Sequence, residues 1–159
     1  MIGFRAISAA HLAFALVACA GPSPSPAPVP VPGKQEAAAK APSKRGLGKV
    51  SSIPLEDFFA LQQSGKVLIF DARPSFIYKL GHIPGAINLP KNRCAEAIAA
   101  REPEIKAALA AGKTIVVYCS SLTCPDARTV AMHISGFGHP ASVFSGGWDA
   151  WKTAELPVE

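Results

Sequence analysis

Cys119 is the residue of this 159-residue chain whose setting most suggests chemistry. It follows Thr114, Ile115, Val116, Val117 and Tyr118, a short β-branched run that reads as a strand buried on both faces. After it come Ser120, Ser121, Leu122, Thr123 and Cys124, then Pro125 and Asp126, which suit the opening of a helix. In such a strand–loop–helix turn the loop's backbone N–H groups converge, and the helix N-terminus adds positive potential. These surroundings favour a thiolate or a bound persulfide and lower a thiol pKa from its usual value of about 8.5. Thr123 and Asp126 read as a capping pair for the helix. The competing reading of Cys119 is a buried structural thiol at a strand end.

Cys124 gives the loop a second reading. Two cysteines across a curled loop could approach disulfide distance, a geometry that sequence does not decide, and in an oxidising compartment Cys124 could then act as a resolving thiol for Cys119. Its alternative role is a small apolar residue closing the helix N-terminus. Cys94 falls in a helical stretch and reads as a buried thiol. No paired Cys-x-x-Cys or nearby histidine gives Cys94, Cys119 and Cys124 a metal-ligand spacing, so neither a metal nor a cofactor is expected. His11, His133 and His139 have no evident partners in sequence.

The elements that would position these groups alternate along the chain. Residues 54–63 read as a helix with Leu55, Phe58 and Phe59 on one face, stopped by Gly65. Residues 67–70 form a fully apolar strand, 75–80 a short helix ended by Gly81, and 86–89 a brief strand after a turn at Pro84 and Gly85. A helix is expected over 94–111, interrupted or restarted at Pro103, and another over 125–135. A strand at 141–144 and a helix around 148–152 complete the pattern. Such alternation predicts an α/β fold with a mostly parallel central sheet flanked by helices on both faces. Sites in such folds lie beyond the carboxyl ends of strands, here after Phe70 and after Tyr118.

Both strand ends carry motifs that resemble a known family. Asp71, Ala72 and Arg73 precede, by seven residues, the run Gly81, His82, Ile83, Pro84, Gly85, Ala86, Ile87 and Asn88. Val116, Val117 and Tyr118 lead into Cys119, and Ser145, Gly146, Gly147 and Trp148 are followed by Trp151, Pro157 and Val158. In type, order and spacing these motifs resemble the rhodanese family along nearly the whole of residues 50–159. The resemblance implies a rhodanese-like, single-domain sulfurtransferase that takes sulfane sulfur from a small donor onto Cys119. A thiophilic acceptor, a thiol or a partner redox protein, then removes it from the persulfide. That is nucleophilic covalent catalysis, with the amides of residues 120–124 as electrostatic stabilisers. The resemblance gives Asp71 and Arg73 a supporting role beside the site and makes His82 a turn residue.

One departure from the family pattern matters. Where many sulfurtransferases carry a basic loop residue for an anionic donor, this chain has Cys124, and Arg128 is the nearest candidate to replace it. Thiosulfate is therefore not supported as the donor. A cysteine phosphatase is disfavoured too, because its loop needs an arginine where Pro125 stands.

Residues 1–18 read as a signal peptide, with Arg5 in the leading segment and an apolar stretch at 12–18 too short to span a bilayer. Leu16, Val17, Ala18 and Cys19 resemble the lipobox of bacterial lipoproteins. That resemblance implies cleavage before Cys19 and its acylation with chains of the palmitate kind, a stable anchor at about 0.8 kcal/mol per buried methylene. Ala18, Cys19 and Ala20 also offer ordinary A-x-A cleavage, which would release a soluble protein. Either way the domain is exported; Ala20 after the acylated cysteine points to the periplasmic face of a Gram-negative outer membrane. Residues 19–48 read as a linker, since from Pro22 to Pro32 every second residue is proline and the chain favours extended polyproline II. Glu36 and Lys40 would support a transient helical turn there, and Pro42, Gly46 and Gly48 loosen the chain again. Residues 49–159 suffice for one compact domain, expected as a monomer.

The net charge of +5 owes much to Lys34, Lys40, Lys44, Arg45 and Lys49 in or beside the linker. With no basic face interleaved with aromatics, a nucleic-acid partner is not expected. Against sulfur transfer stand two rivals: a thiol–disulfide or sensing module using Cys119 with Cys124, and a catalytically silent rhodanese fold that binds a partner protein.

Overall fold

Residues 46–159 are described by a computed structural model. The expected signal peptide, Cys19, the proline-rich run and the Glu36–Lys40 turn lie outside the described residues. Five strands, β1 (Val50–Ser52), β2 (Val67–Asp71), β3 (Ala86–Asn88), β4 (Thr114–Tyr118) and β5 (Ala141–Phe144), form one sheet in the order β1-β5-β4-β2-β3. Every pairing is parallel. The expected α/β fold with a parallel sheet and helices on both faces is therefore the observed one. The central position of β2 and β4 explains their unbroken apolar runs, because both of their faces are covered.

The helices are α1 (Leu55–Gln63), α2 (Ser75–Tyr78), α3 (Cys94–Ala110), α4 (Asp126–Gly136) and α5 (Gly147–Thr153), with a 3-10 turn at Lys91–Arg93. Alternation along β4 sorts its side chains between two cores. Ile115, Val117 and Cys119 join Cys94, Ile98 and Ile105 of α3 and Val130 and Ile134 of α4. Val116 and Tyr118 join Phe58 of α1, Phe144 of β5 and Trp151 of α5 on the opposite face. There the Phe58 ring lies 5.2 Å from Phe144 and 5.3 Å from Trp151, centroid to centroid. Burying side chains of this size contributes about 1.5–3 kcal/mol each, which holds the sheet between its helical layers.

Three local expectations change. Pro103 does not interrupt its helix: α3 runs unbroken from Cys94 to Ala110. The proline costs the helix one hydrogen bond, roughly 3 kcal/mol, but Ile98 and Ile105 on either side are fully buried and pin both halves to the same core. β1 is a strand that the sequence did not announce, because three residues with two exposed side chains carry no readable alternation. Gly48, placed in the linker by composition, is packed into the body. Its N–H donates to the Ser135 carbonyl at 2.9 Å, and the Ser135 hydroxyl donates to its carbonyl at 2.6 Å. A Cβ there would lie 2.0 Å from the His139 carbonyl oxygen.

Candidate active site

At the carboxyl end of β2 lies a buried, highly connected polar cluster. Asp71 and Arg73 are 0% and 2% exposed. Arg73 Nε donates to both Asp71 carboxylate oxygens at 3.0 Å, and Nη2 donates to Oδ2 at 2.6 Å. The same Nη2 donates to the Gly81 carbonyl at 2.8 Å. From the neighbouring strand, where Tyr118 stands in register with Asp71, the phenol donates to Asp71 Oδ2 at 2.6 Å and accepts the Ile83 N–H at 3.1 Å. Asn88 Nδ2 donates to the carbonyls of both Asp71 and Arg73. The guanidinium also lies 4.6 Å from the Trp148 ring of α5.

The charges in this cluster are held in place by their partners. Burial opposes the Arg73 charge, but the hydrogen bonds and charge of Asp71 more than offset it and hold its pKa above the ordinary arginine value. Burial, reinforced by the Asp71 carboxylate, pushes the Tyr118 phenol far above its ordinary range, so it serves as a neutral donor. No acceptor capacity is left exposed for a substrate. The cluster fastens the ends of β2 and β4 to the turn at Gly81–Ile83.

His82 belongs to that turn. Its ring stacks on Tyr78 with centroids 3.9 Å apart, and its backbone exchanges two hydrogen bonds with Glu159. This fits a turn residue rather than a base. His139, which lacked a partner in sequence, is 7% exposed, and its Nε2 lies 3.7 Å from Glu102 Oε1 on α3. The fold supplies a neighbour from a distant part of the chain.

The carboxyl end of β4 is built differently. Cys119 is the first residue after the strand, 3% exposed, and its sulfur is bonded to that of Cys124 with the two Cα atoms 6.2 Å apart. Within the loop, the Cys124 N–H donates to the Ser121 carbonyl at 3.1 Å, and the Ser121 and Thr123 hydroxyls are 3.2 Å apart. Among the described residues, no backbone carbonyl accepts the N–H of Ser120, Ser121, Leu122 or Thr123. These are the donors expected to stabilise an anionic sulfur.

The base of the loop is held from α5. The Trp148 and Asp149 N–H groups donate to the carbonyls of Cys119 at 2.8 Å and Ser120 at 2.9 Å. That approach requires glycine at position 147, which has φ +63° and where a Cβ would lie 2.5 Å from the Cys119 carbonyl oxygen. Gly147 and Trp148 belong to a sequence motif that does not reveal their part in clamping the Cys119 loop. The adjacent glycines 146 and 147 ahead of a helix were the available signal.

The expected capping pair does not form. The residue before α4 is Pro125, which offers no side-chain cap, and Thr123 bonds Ser121 instead. Asp126 turns to Lys91, whose Nζ is 2.6 Å from Oδ1.

Arg128, the nearest candidate for the missing basic loop residue, stands one turn into α4. It is exposed and lines a shallow surface depression with Pro125, Thr129, Met132 and His133. Lys91, which sequence spacing could not place, is the cation the fold brings to the start of α4. It lines a cleft of about 290 Å³ with Ala72, Ser75, Asn92 and Asp126. The Cys119 and Cys124 sulfurs and an Asp126 carboxylate oxygen lie within 4.8 Å of one another, a grouping that residue spacing does not reveal and that could hold a metal once the disulfide is reduced. Cys94, the first residue of α3, is 2% exposed, and burial pushes its thiol up despite the amides at the helix start.

The fold and the loop define a class of parallel α/β domain that presents a cysteine from the end of a central strand, in a loop opening a helix. Within it, the chain belongs to the rhodanese-like domain family, whose pattern it matches over residues 55–154. It is 34% identical over 101 residues to the HTH-type transcriptional regulator Rv0324 of Mycobacterium tuberculosis, a stretch covering 62% of this chain and 40% of the regulator. Among solved structures it resembles the BH2092 protein of Bacillus halodurans, with 26% identity and TM-score 0.57 over 69% of this chain and 76% of that one. It also resembles the fold of thiosulfate sulfurtransferase from Pseudomonas aeruginosa, with 23% identity and TM-score 0.53 over 69% of this chain and 20% of that one.

Proposed function

We propose that this protein moves sulfane sulfur through a persulfide on Cys119. The observation that carries the reading is the position of Cys119: first after a central strand, in a loop whose N–H groups at 120–123 meet no backbone acceptor. A Cys119 thiolate attacks the outer sulfur of the donor, the donor's leaving group departs with the bonding electrons, and loop amides stabilise the charge on the persulfide. Lys91, half-exposed and paired with Asp126, is the cation that an anionic donor entering the cleft at the start of α4 would meet. The sulfurtransferase among the structural neighbours agrees with this chemistry. The test is transfer from a small-molecule persulfide to a thiol acceptor in the presence of a dithiol reductant. Cys119→Ser should abolish it, whereas an unchanged rate would sink the proposal.

A second reading is favoured by the Cys119–Cys124 bond itself: a thiol–disulfide module that carries no sulfur. Under that reading no donor would ever leave a sulfur adduct on Cys119. The proposal also includes export and anchoring through Cys19, which would place the pair in an oxidising compartment. Among the described residues no helix is long and apolar enough to cross a membrane. Metabolic labelling with a palmitate analogue should tag the full-length chain and not Cys19→Ser; equal labelling of both would remove the anchor.

A further inference from the structure

The proposed function leaves open what first receives the sulfur. We propose that Cys124 resolves the Cys119 persulfide within the same loop and releases the sulfur as hydrosulfide; this rests on the persulfide reading above. The supporting geometry is the connectivity. The backbone of residues 119–124 already accommodates a bond between the two sulfurs, with Cα atoms 6.2 Å apart and no break in β4 or α4. In the persulfide state the same loop brings Cys124 Sγ against the inner sulfur of Cys119, on which the outer sulfur is the leaving group.

The step balances. Cys124 first loses its thiol proton to water. Its thiolate lone pair forms the Sγ–Sγ bond, and the electrons of the bond between Cys119 Sγ and the outer sulfur leave with HS⁻. The sulfane sulfur is reduced to sulfide, and the two cysteine sulfurs are oxidised to the disulfide seen in the structure. An external dithiol then reduces that disulfide by two thiol exchanges, leaving both thiols ready for another donor.

Local chemistry favours Cys124 as the attacking group. It lies two residues before Asp126, the start of the 11-residue helix α4, where the helix dipole stabilises a thiolate. The Asp126 carboxylate lies near both sulfurs but is paired with Lys91 at 2.6 Å, so the thiolate does not face an unbalanced negative charge. Cys119 is buried, while Cys124 is partly exposed beside it. An outside thiol must reach the buried sulfur of Cys119 from solvent, whereas Cys124 attacks in a unimolecular step.

The experiment uses the fully reduced protein, freed of reductant under anaerobic conditions and mixed with one equivalent of a small-molecule persulfide beside a protein-free control. Wild type should release about one sulfide per chain above the control and end as the Cys119–Cys124 disulfide, about 2 Da lighter than the reduced form. Cys124→Ser and Cys124→Ala should release no more than the control and keep about 32 Da, one sulfur atom, on Cys119. If wild type keeps the adduct as long as the Cys124 variants and releases no extra sulfide, the resolving role is wrong and the persulfide reading survives. If the Cys124 variants acquire no adduct, the persulfide reading falls, and the resolving role falls with it.

Discussion

The two central strands of the sheet end side by side, in register, and in opposite chemical styles. At the end of β2, Asp71 and Arg73 are buried and bonded to each other, to Tyr118, to Gly81 and to Asn88, so the polar capacity there is spent on the protein itself. At the end of β4, the loop after Cys119 is held at its base by two α5 amides, while four consecutive N–H groups meet no backbone acceptor. Charges that are buried and fully paired make a brace, whereas a sulfur beside N–H groups with no backbone acceptor is the setting that the proposed sulfur chemistry would use. The family resemblance points to both strand ends; the geometry divides the labour between them.

The largest effects should separate the two ends cleanly. Cys119→Ser should eliminate sulfur transfer while leaving the thermal midpoint of the reduced protein within a few degrees of wild type. Asp71→Ala should do the reverse first: it leaves the Arg73 guanidinium buried without its carboxylate, a loss of about 3–5 kcal/mol. Chemical denaturation would read that loss, and an unaltered midpoint would mean that the cluster does not brace the sheet. Gly147→Ala sits where the two regions meet. Its positive φ and its approach to the Cys119 carbonyl should cost about 1–3 kcal/mol and slow transfer together. A variant with normal stability and normal rate would separate the α5 clamp from the site.

Smaller effects sharpen the same contrast. Tyr118→Phe removes a buried donor to Asp71 and should cost about 1–3 kcal/mol near neutral pH. The phenol's pKa is raised in the folded protein, so its stabilisation is fully present below its unfolded pKa of about 10. Above that, the unfolded chain ionises and the folded one does not, so stability falls with rising pH. Denaturation midpoints from pH 9 to 11 should therefore fall more steeply for wild type than for Tyr118→Phe, and parallel slopes would contradict the assignment. Smallest of all, Lys91→Ala should raise the apparent KM for an anionic donor by less than about tenfold, as for a half-exposed ion pair worth under ~1 kcal/mol. Arg128→Ala should leave it unchanged, and the opposite order would return the donor-binding role to α4.

What was legible in the sequence was whatever rests on local pattern. The apolar runs of β2 and β4 and the helices beside them come from periodicity, and Cys119 stood out because it follows one such run directly. What stayed hidden depends on distant parts of the chain meeting. Lys91 reaches Asp126, the α5 amides reach the Cys119 loop, and His139 finds Glu102, all across long sequence separations. Thr123 and Asp126 spelled a capping pair, but Thr123 bonds the Ser121 hydroxyl and Asp126 pairs with Lys91. Pro103 spelled a break, but Ile98 and Ile105 buried against the sheet kept the helix whole.

The central claim is that the end of β4 carries sulfur on Cys119. Its most direct test is peptide-resolved mass spectrometry of reduced Cys124→Ser protein after exposure to a small-molecule persulfide. The account predicts one added sulfur, about 32 Da, on the peptide containing Cys119 and none on the buried Cys94. A Cys119 peptide that stays unmodified, or an adduct found on Cys94 instead, would contradict it.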